Sequence, residues 1–438
     1  MRSMRGKYKL TEFGFDYSGL KAYAGHLLEK DRLLKSSSGG AASHIAEQFI
    51  KKGGVVLGVG YADDFKSAEY YCVTTVDGLE KLKGSKYIPA RKMIHVDGEY
   101  RSVYKVAEEY LADGKSVLYI GLGCDVGALR RYCEVNTVRD ENLFTIELIC
   151  VGTTLQEAHS MYIQETEARY HANIRKLNVR YKKEGWLPYI RIEFDDQRVF
   201  EAPFNESDLG IAFNILCRKS CSQCAYKGSS HVGDIAVGDY FRLGHDDDIY
   251  DENGVSILIE KTEKGRQLIE SIAPDEFLLK EMDIRKALLE NHRYYECSVD
   301  DIETGPILEN LRTNGLRYAI EKYYAHLIPD SVKHGTKKKV VMWGTGNFFR
   351  RYYPLVDLLC DVNTVCDNNE ANWGKVFQEN ILCISPEELC SKENVFVVIM
   401  IENRQAREMV EKQLETLGIY SFDYVLNWIK YASREMFD

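Results

Sequence analysis

The sequence lacks the features that mark three large classes of protein. No apolar run approaches the ~20 residues that a membrane-spanning helix requires, and the N-terminal residues carry no apolar core of the kind found in a signal peptide. There is no excess of positive charge, because 57 basic residues face 67 acidic ones and the formal charge is −10. A nucleic-acid footprint is therefore missing. We expect a cytoplasmic protein with no membrane span and no nucleic-acid partner.

The sequence also lacks any cysteine before Cys72, and its twelve cysteines are spread from there to Cys390. Such a spread is unlike a small disulfide scaffold, and in a reduced protein thiols serve as ligands or core residues more often than as bridges. With 438 residues, 45% of them apolar, the chain is long enough for two or three domains with cores of their own.

The order of the hydrophobic patterns indicates an α/β fold with α+β insertions. A buried-strand run at 116–120 leads into a glycine turn ending at Cys124 and then into a helix from about Asp125, and a second run at 143–149 ends at Cys150. The order strand, glycine turn, helix places ligands at the carboxyl edge of a parallel sheet. Alternating residues between 172 and 202 predict an antiparallel meander.

Further elements follow from periodicity and composition. We expect one helix over 76–83 and another over about 307–328, and the basic run 333–339 has the composition of a linker. These patterns divide the chain into a domain at 1–300, a connecting helix and linker at 301–336 and a C-terminal domain at 337–438.

The C-terminal domain is predicted to be a Rossmann-like parallel-sheet domain. A strand leads into the turn Gly344-Thr-Gly346 and a helix, and Asp367 lies 23 residues after Gly344, where an acidic residue of a dinucleotide fold would meet a ribose. Phe349 occupies the place of the third glycine and opposes close packing on a pyrophosphate. NAD, a sugar nucleotide and a purely structural role all stay open.

Two short segments have the chemistry of phosphate or ring contacts. Serine and glycine residues at 36–40 precede a helix, whose first N–H groups and dipole favour an anion, although a plain serine N-cap explains such a sequence as well. A basic loop with an aromatic residue follows at 83–87; it is suited to a phosphate or a flat ring, or it is a solvated turn.

Three cysteines fall within eight positions, as Cys217, Cys221 and Cys224. A Cys-x-x-Cys turn brings two thiolates onto one ion, and the neighbouring Arg218 and Lys219 favour the thiolate form. Iron–sulfur and zinc sites are built in this way. A disulfide or redox dithiol, and a chance cluster without chemistry, remain alternatives at this point. Cys124 and Cys150, at the ends of two neighbouring strands, are either the second half of a four-thiolate site or two core cysteines.

Six motifs in order resemble the coenzyme F-420 hydrogenase/dehydrogenase beta-subunit family, in particular its branch found with bacterial polysaccharide-biosynthesis genes. The motifs are residues 36–40, 53–58, 83–87, 121–124, 147–150 and 220–239, and the resemblance covers about residues 20–260.

The resemblance implies a flavin/iron–sulfur domain that carries FAD beside a 4Fe–4S cluster and passes electrons between a reduced carrier and a substrate. It implies FAD phosphate contacts from Ser37, Ser38, Gly39 and Gly40. It implies contacts near the flavin ring from Lys83, Gly84, Ser85, Lys86 and Tyr87. It implies cluster ligation by Cys124, Cys150, Cys221 and Cys224, with Cys217 ranked fifth.

The chain departs from the family pattern in three places. The ferredoxin-type domain that begins most relatives is missing, so a partner ferredoxin or a soluble reduced carrier would deliver the electrons. The turn at 122–125 reads Leu-Gly-Cys-Asp instead of Thr-Pro-Cys-Gln, and Glu147 and Val151 replace the usual Asp and His.

Other functions stay open from the sequence alone. A non-redox sugar-modifying or sugar-nucleotide-binding protein of polysaccharide assembly would keep the fold without catalysis, and a zinc-stabilised protein would use Cys221 and Cys224. His26, His44 and Tyr87 are acid–base candidates only by position, and a structural role is favoured for each.

Overall fold

The structure is a computed structural model that describes residues 13–428 except 97, 184, 242–243, 245–246, 298–301, 328–331, 334, 337 and 379. The chain divides into unit 1, Met1–Phe204 with Phe213–Ile302, and unit 2, Asn205–Ala212 with Glu303–Asp438. Within the described ranges no helix is both long and apolar enough to cross a membrane. The predicted linker at 333–339 lies partly outside the described residues, and the predicted three-part division stays a prediction.

Unit 1 is built mainly of strands. They are β1 (Lys21–Leu27), β2 (Val55–Tyr61), β3 (Ala68–Val73), β4 (Ala90–Val96), β5 (Glu99–Ser102), β6 (Val117–Leu122), β7 (Leu143–Leu148), β8 (Ile174–Tyr181), β9 (Tyr189–Phe194), β10 (Val199–Pro203), β11 (Ile235–Asp239), β12 (Ser256–Glu260) and β13 (Phe277–Met282).

The helices of unit 1 are α1 (Lys30–Leu34), α2 (Ala41–Lys51), α3 (Val103–Ala112), α4 (Gly123–Val135), α5 (Gln156–Tyr170), α7 (Glu263–Glu270) and α8 (Ile284–Glu290). A further helix, α6 (Asp208–Ile215), has residues in both units.

Ten strands form one mixed sheet in the order β13-β1-β12-β11-β7-β6-β2-β3-β4-β5. Its centre, β11-β7-β6-β2, is parallel. Successive side chains of a strand point to opposite faces, and both faces are buried here. Val56 of β2 packs with Ile45 of α2, whereas Leu57 packs on the other face with Val106 of α3 and Leu129 of α4. This is the α/β layering that the sequence predicts.

The meander predicted for 172–202 forms as a separate antiparallel sheet, β10-β9-β8. The predicted helix at 76–83 is a 3₁₀ helix over Asp77–Leu82. A single short turn of this kind does not develop the side-chain periodicity that separates 3₁₀ from α-helix in a sequence.

Unit 2 contains the second α/β sheet. Its elements are α9 (Thr304–Asn314), α10 (Leu316–Leu327), β14 (Lys339–Trp343), α11 (Asn347–Leu359), β15 (Val362–Cys366), β16 (Val376–Phe377), β17 (Ile381–Ile384), α12 (Pro386–Cys390), β18 (Val395–Ile399), α13 (Arg404–Thr416), β19 (Phe422–Tyr424) and α14 (Val425–Trp428). The sheet order is β16-β17-β15-β14-β18-β19, parallel except at β16, as expected for a Rossmann-like domain.

One predicted helix of unit 2 is wrong. The single helix expected over 307–328 is two helices, α9 and α10, because Gly315 adopts φ +94° and ends the first of them. Glycine adopts a positive φ without the steric cost that other residues incur, and the Asn-Gly pair at 314–315 was the available signal.

Candidate cofactor site

The four cysteines predicted as ligands lie at the carboxyl edge of the large sheet and in the loop above it. Cys124 is the second residue of α4 directly after β6, and Cys150 follows β7 by two residues. The two strands are parallel neighbours in which Leu122 pairs with Leu148, so their ends meet. Cys221 ends the 3₁₀ turn Lys219–Cys221. Cys224 follows three residues later.

The cysteine loop is fastened to the segment after Cys150. Thr154 forms an antiparallel bridge with Cys217, the Arg218 N–H donates to the Thr153 carbonyl at 3.0 Å, and the Leu155 N–H donates to the Leu216 carbonyl at 2.9 Å. The loop also lies close to α4, because a Cβ on Gly127 would overlap the Tyr226 ring. Glycine is required where a side chain packs this closely on a helix backbone.

The thiols are close enough to affect each other's ionisation. Partial loss of hydration, and then the Asp125 carboxylate, raise the pKa of Cys124, although the residue is exposed at the surface. Cys150 and Cys224 raise this pKa further, whereas part-exposed Lys92 lowers it. Burial raises the pKa of Cys150 to about 11, an effect that Cys221 and Cys224 strengthen. The four thiols therefore lie in one region of unit 1. No three of their sulfurs lie within 4.8 Å of one another, and their role as ligands stays a prediction.

Cys217 contacts one of the four. The interaction between the two thiols lowers the pKa of Cys221 and raises the pKa of Cys217. Thr153 and the charge of Arg218 also favour the Cys221 thiolate. A thiolate at neutral pH is the form that binds a metal.

Sequence reasoning missed several polar residues around the thiols. Lys227 donates from Nζ to the Cys150 carbonyl at 2.7 Å, and burial lowers its pKa. Cys297 lies beside the Cys224 carbonyl, with Sγ 3.8 Å from the oxygen. Neither residue follows a recognisable motif, and their proximity depends on contacts 73 and 77 positions apart in sequence.

Buried Glu147 fixes the loop that leads into β11. Its Oε2 accepts from the N–H groups of Val232 and Gly233, each at 2.9 Å, and its Oε1 pairs with His231 Nδ1. The other ring nitrogen of His231 faces the Tyr294 carbonyl at 2.7 Å. Both ring nitrogens thus face oxygen acceptors. Burial raises the pKa of Glu147, but its hydrogen bonds to His231 and to the two N–H groups outweigh this effect and lower the pKa.

The serine and glycine segment at 36–40 packs against the edge of the large sheet. Ser38 Oγ donates to the Val255 carbonyl at 2.9 Å, and a Cβ on Gly39 would lie 2.5 Å from the Ser256 nitrogen. Gly40 adopts φ +84° and precedes α2, which has no side-chain cap. The first N–H groups of α2 are thus left for another acceptor.

The segment at 83–87 lies beside the first one and beside the cysteine loop. Ser85 Oγ is 3.3 Å from Ser37 Oγ, and the Tyr87 carbonyl accepts from the Thr154 N–H at 2.8 Å. Thr154 therefore links the predicted flavin segment to the cysteine loop, because its N–H binds Tyr87 and its backbone pairs with Cys217.

The two lysines of this segment turn toward the protein. Lys86 Nζ donates to the carbonyls of Leu82, Lys83 and Gly84 at 2.7–3.0 Å, and loss of hydration lowers its pKa to about 7. Lys83 pairs with Glu80. Their side chains stabilise the loop, whereas the sequence suggested contacts near a flavin ring.

Tyr87 is held by a buried arginine. Arg180 Nη1 donates to Tyr87 Oη at 3.2 Å, and Nη2 donates to Asp239 Oδ1 at 2.9 Å. The Nε of Arg180 is buried and has no partner among the described residues, and the same holds for the buried hydroxyl of Thr154. These two unsatisfied groups flank Tyr87.

The histidine candidates have structural surroundings. His26 Nδ1 lies 3.0 Å from the Leu27 carbonyl. His44 accepts from the Ala273 N–H at Nε2, at 3.1 Å, and stacks on Phe277. Because Nε2 accepts, the ring proton of neutral His44 is on Nδ1, which points toward Glu276.

In unit 2 the acidic residue expected to meet a ribose is already engaged. Asp367 Oδ2 accepts from the N–H and the hydroxyl of Thr345, inside the glycine turn, and Oδ1 accepts from the Asn369 N–H at 2.8 Å. Phe349 is fully buried in the core of the unit. Its ring fills the space in which a third glycine would allow close helix–strand packing.

Together, the large sheet and the thiols at its carboxyl edge define an α/β protein with a candidate metal centre. Residues 114–284 match the family model for the C terminus of the beta subunit of coenzyme F420 hydrogenase/dehydrogenase. This stretch holds all four predicted ligands, and the match confirms the predicted resemblance to that family. The segments 36–40 and 83–87 lie outside the match, and the polysaccharide-associated branch stays a prediction.

Among solved structures, the chain is similar to a chain in the xenon-derivatised F420-reducing [NiFe] hydrogenase complex from Methanosarcina barkeri. The identity is 16%, the match covers 70% of this chain and 91% of that chain, and the TM-score is 0.40. A likeness of this size leaves the function open. No curated protein matches the chain in sequence.

Proposed function

We propose that unit 1 is an oxidoreductase that holds a 4Fe–4S cluster next to FAD and passes electrons between a reduced carrier and a small-molecule substrate. The observation that supports it most is the convergence of four thiols from distant segments, directly beside the Thr154 backbone that also binds Tyr87. When bound, the cluster supplies one-electron transfer and the flavin two-electron chemistry.

The donor set suits an iron–sulfur cluster. Such clusters take four thiolates, and hydrogen bonds and charges around the sulfurs set their potential. The Gly152 N–H donates to Cys150 Sγ at 3.2 Å, and the charge of Lys227 lowers the pKa of the same thiol. Lys92 acts in the same direction on Cys124. These groups favour negative sulfur against the opposing effect of burial.

The surroundings of Tyr87 and α2 suit a flavin nucleotide. The uncapped N-terminus of α2 presents N–H groups to a phosphate. Buried polar groups are nearly always hydrogen-bonded, so the unpartnered Arg180 Nε and Thr154 hydroxyl call for a polar ligand next to Tyr87. In this proposal the inward-turned Lys86 positions its loop and has no contact with the ligand.

The electron donor is proposed to be a ferredoxin-like protein or a soluble reduced carrier. A sugar substrate and a place in polysaccharide biosynthesis stay predictions.

Anaerobic purification tests the proposal. Protein made and kept without oxygen is expected to be yellow-brown, with about four iron atoms, about four sulfides and about one FAD per chain. The variant Cys221→Ser should lose most of its iron, because a serine hydroxyl is not a cluster ligand of comparable strength.

Cys72→Ser is the matched control. Cys72 lies on β3 in the same unit, and its Sγ contacts the Tyr110 hydroxyl at 3.5 Å, so its replacement should leave iron and sulfide unchanged. Full iron retention in Cys221→Ser would refute the ligand assignment. Colourless protein that contains zinc, or no metal, would favour a zinc-stabilised or non-redox protein.

A further inference from the structure

Unit 1 has a cavity between α1 and the antiparallel sheet. Its volume is ≈ 260 Å³. The charged residues that line it are four cations, Lys35, Lys176, Lys182 and Arg191, and two acids, Asp31 and Glu193. In a chain with a formal charge of −10, a cavity in which positive groups outnumber negative ones is a distinctive feature.

The positive charge of the cavity is only partly neutralised. Glu193 pairs with Arg191 at 3.0 Å and with Lys176 at 3.6 Å, and Arg191 also pairs with Glu201, which does not line the cavity. Lys182, which is 5% exposed, donates instead to two backbone carbonyls, those of Leu33 and Ser38, each at 2.7 Å. Carbonyls satisfy the hydrogen bonds of an ammonium group but carry no compensating charge.

Burial makes this lysine sensitive to a bound anion. Burial, and then the charge of Arg180, lower the pKa of Lys182 to about 7. The charges of Asp239 and Asp251 act in the opposite direction. An anion in the cavity would add a further counter-charge and would be held by a partly desolvated ammonium, where electrostatic attraction is stronger than in water.

The cavity borders both segments predicted to hold the flavin. Lys182 binds the Ser38 carbonyl, and Asn178, which also lines the cavity, has its Oδ1 3.9 Å from the position that a Cβ on Gly84 would take. A ligand in the cavity would therefore lie next to the proposed flavin site.

We propose that this cavity binds a phosphate group. The inference rests on the proposed function, because the segments beside the cavity are those proposed to hold the flavin. It adds to that function the chemical class of a ligand. The phosphate comes either from the flavin nucleotide itself or from a phosphorylated substrate.

Inorganic pyrophosphate is the probe for the first experiment. Isothermal titration of flavin-free protein at low ionic strength should show saturable binding that weakens as salt is added. Lys35→Gln should weaken it about five-fold, as expected for one exposed charge. Lys182→Met should weaken it about ten-fold or more.

Lys30→Gln is the matched control. Lys30 is exposed on α1, the helix next to Lys35, and it does not line the cavity, so its replacement should leave binding unchanged. If Lys182→Met fails to fold, Lys35→Gln and Lys176→Gln carry the comparison. No saturable binding, or equal effects of Lys35→Gln and Lys30→Gln, would overturn the inference.

A second titration identifies the source of the phosphate. If FAD-loaded protein no longer binds pyrophosphate, the cavity takes the flavin's own diphosphate; if it binds undiminished, the cavity takes a substrate. Iron and sulfide content are measured separately. If the protein binds pyrophosphate but takes up no cluster, this inference stands and the proposed function is refuted. If it takes up a cluster but binds no anion, the proposed function stands and this inference is refuted.

Discussion

The ion pair between Arg180 and Asp239 gives the sharpest stability prediction. It joins β8 of the antiparallel sheet to the end of β11 in the large sheet, and the two side chains are 10% and 18% exposed. Burial opposes the charge of Arg180, but Asp239 and Tyr87 outweigh it and raise its pKa. The guanidinium also lies 5.4 Å from the Trp186 ring centroid. The pair thus holds Tyr87 in place as well as itself.

Removing one partner of a buried pair costs about 3–5 kcal/mol, because the other charge is left uncompensated. We take the lower end, about 3 kcal/mol, for Asp239→Asn, since both side chains keep some contact with water. Arg180→Met should cost about 2 kcal/mol, because Asp239 retains the Trp186 N–H at 3.4 Å. The double variant, which buries no unpaired charge, should cost about 3 kcal/mol, which leaves a coupling free energy of about 2 kcal/mol.

Hydrogen exchange of the β8 and β11 backbone amides, measured by mass spectrometry, confines the assay to unit 1. Arg175→Gln is the control, because Arg175 is an exposed arginine of the same strand, and its effect should stay within about 0.5 kcal/mol. Additive single-variant effects, or an Asp239→Asn effect no larger than that of the control, would refute the reasoning.

Three further predictions concern other buried polar groups. Buried His159 donates from Nε2 to the Phe65 carbonyl, and burial lowers its pKa to about 4. The unfolded chain therefore binds a proton at a higher pH than the folded chain does. About 3 kcal/mol of stability should be lost as the pH falls from about 6.5 to 4. His159→Phe should flatten this dependence in urea melts, and an unchanged slope would contradict it. Arg32 bridges Glu276 of the segment before β13 and Glu47 of α2, so Arg32→Met should lower the thermal midpoint through a loss of about 1 kcal/mol at this part-exposed site, with Lys30→Met as a comparison that should change nothing. Asp367→Ala should destabilise unit 2 by about 2 kcal/mol in a thermal melt, and Asp367→Asn should destabilise it less. NADH fluorescence should show no binding to the parent or to either variant. NADH binding by the parent would show that the turn opens.

Local patterns predicted the parts of the site that depend on strand order. Cys124 and Cys150 follow buried runs of Val, Leu and Ile that form adjacent parallel strands, and such strands end at the same edge of a sheet. The helix at 386–390 was equally readable, because Ser385 and Glu388 form a capping box.

The remaining parts of the site depend on where side chains meet after the chain has folded. Lys86 resembled a ligand-binding lysine in the sequence, yet its ammonium group turns into its own loop. Arg180 belongs to an alternating strand like its neighbours, and only the packing of that strand against Asp239 and Tyr87 distinguishes it. Composition and periodicity carry no information on contacts 59 or 93 positions apart.

The separation of the four thiols along the chain has a consequence for biogenesis. Cys124 and Cys224 are a hundred positions apart, and the bridge between Thr154 and Cys217 closes the loop between them. No fragment shorter than the stretch from Cys124 to Cys224 contains all four thiols. Closing so long a loop costs conformational entropy, which the contacts of the complete sheet offset. Under the proposed function, colour would therefore appear only after unit 1 has folded.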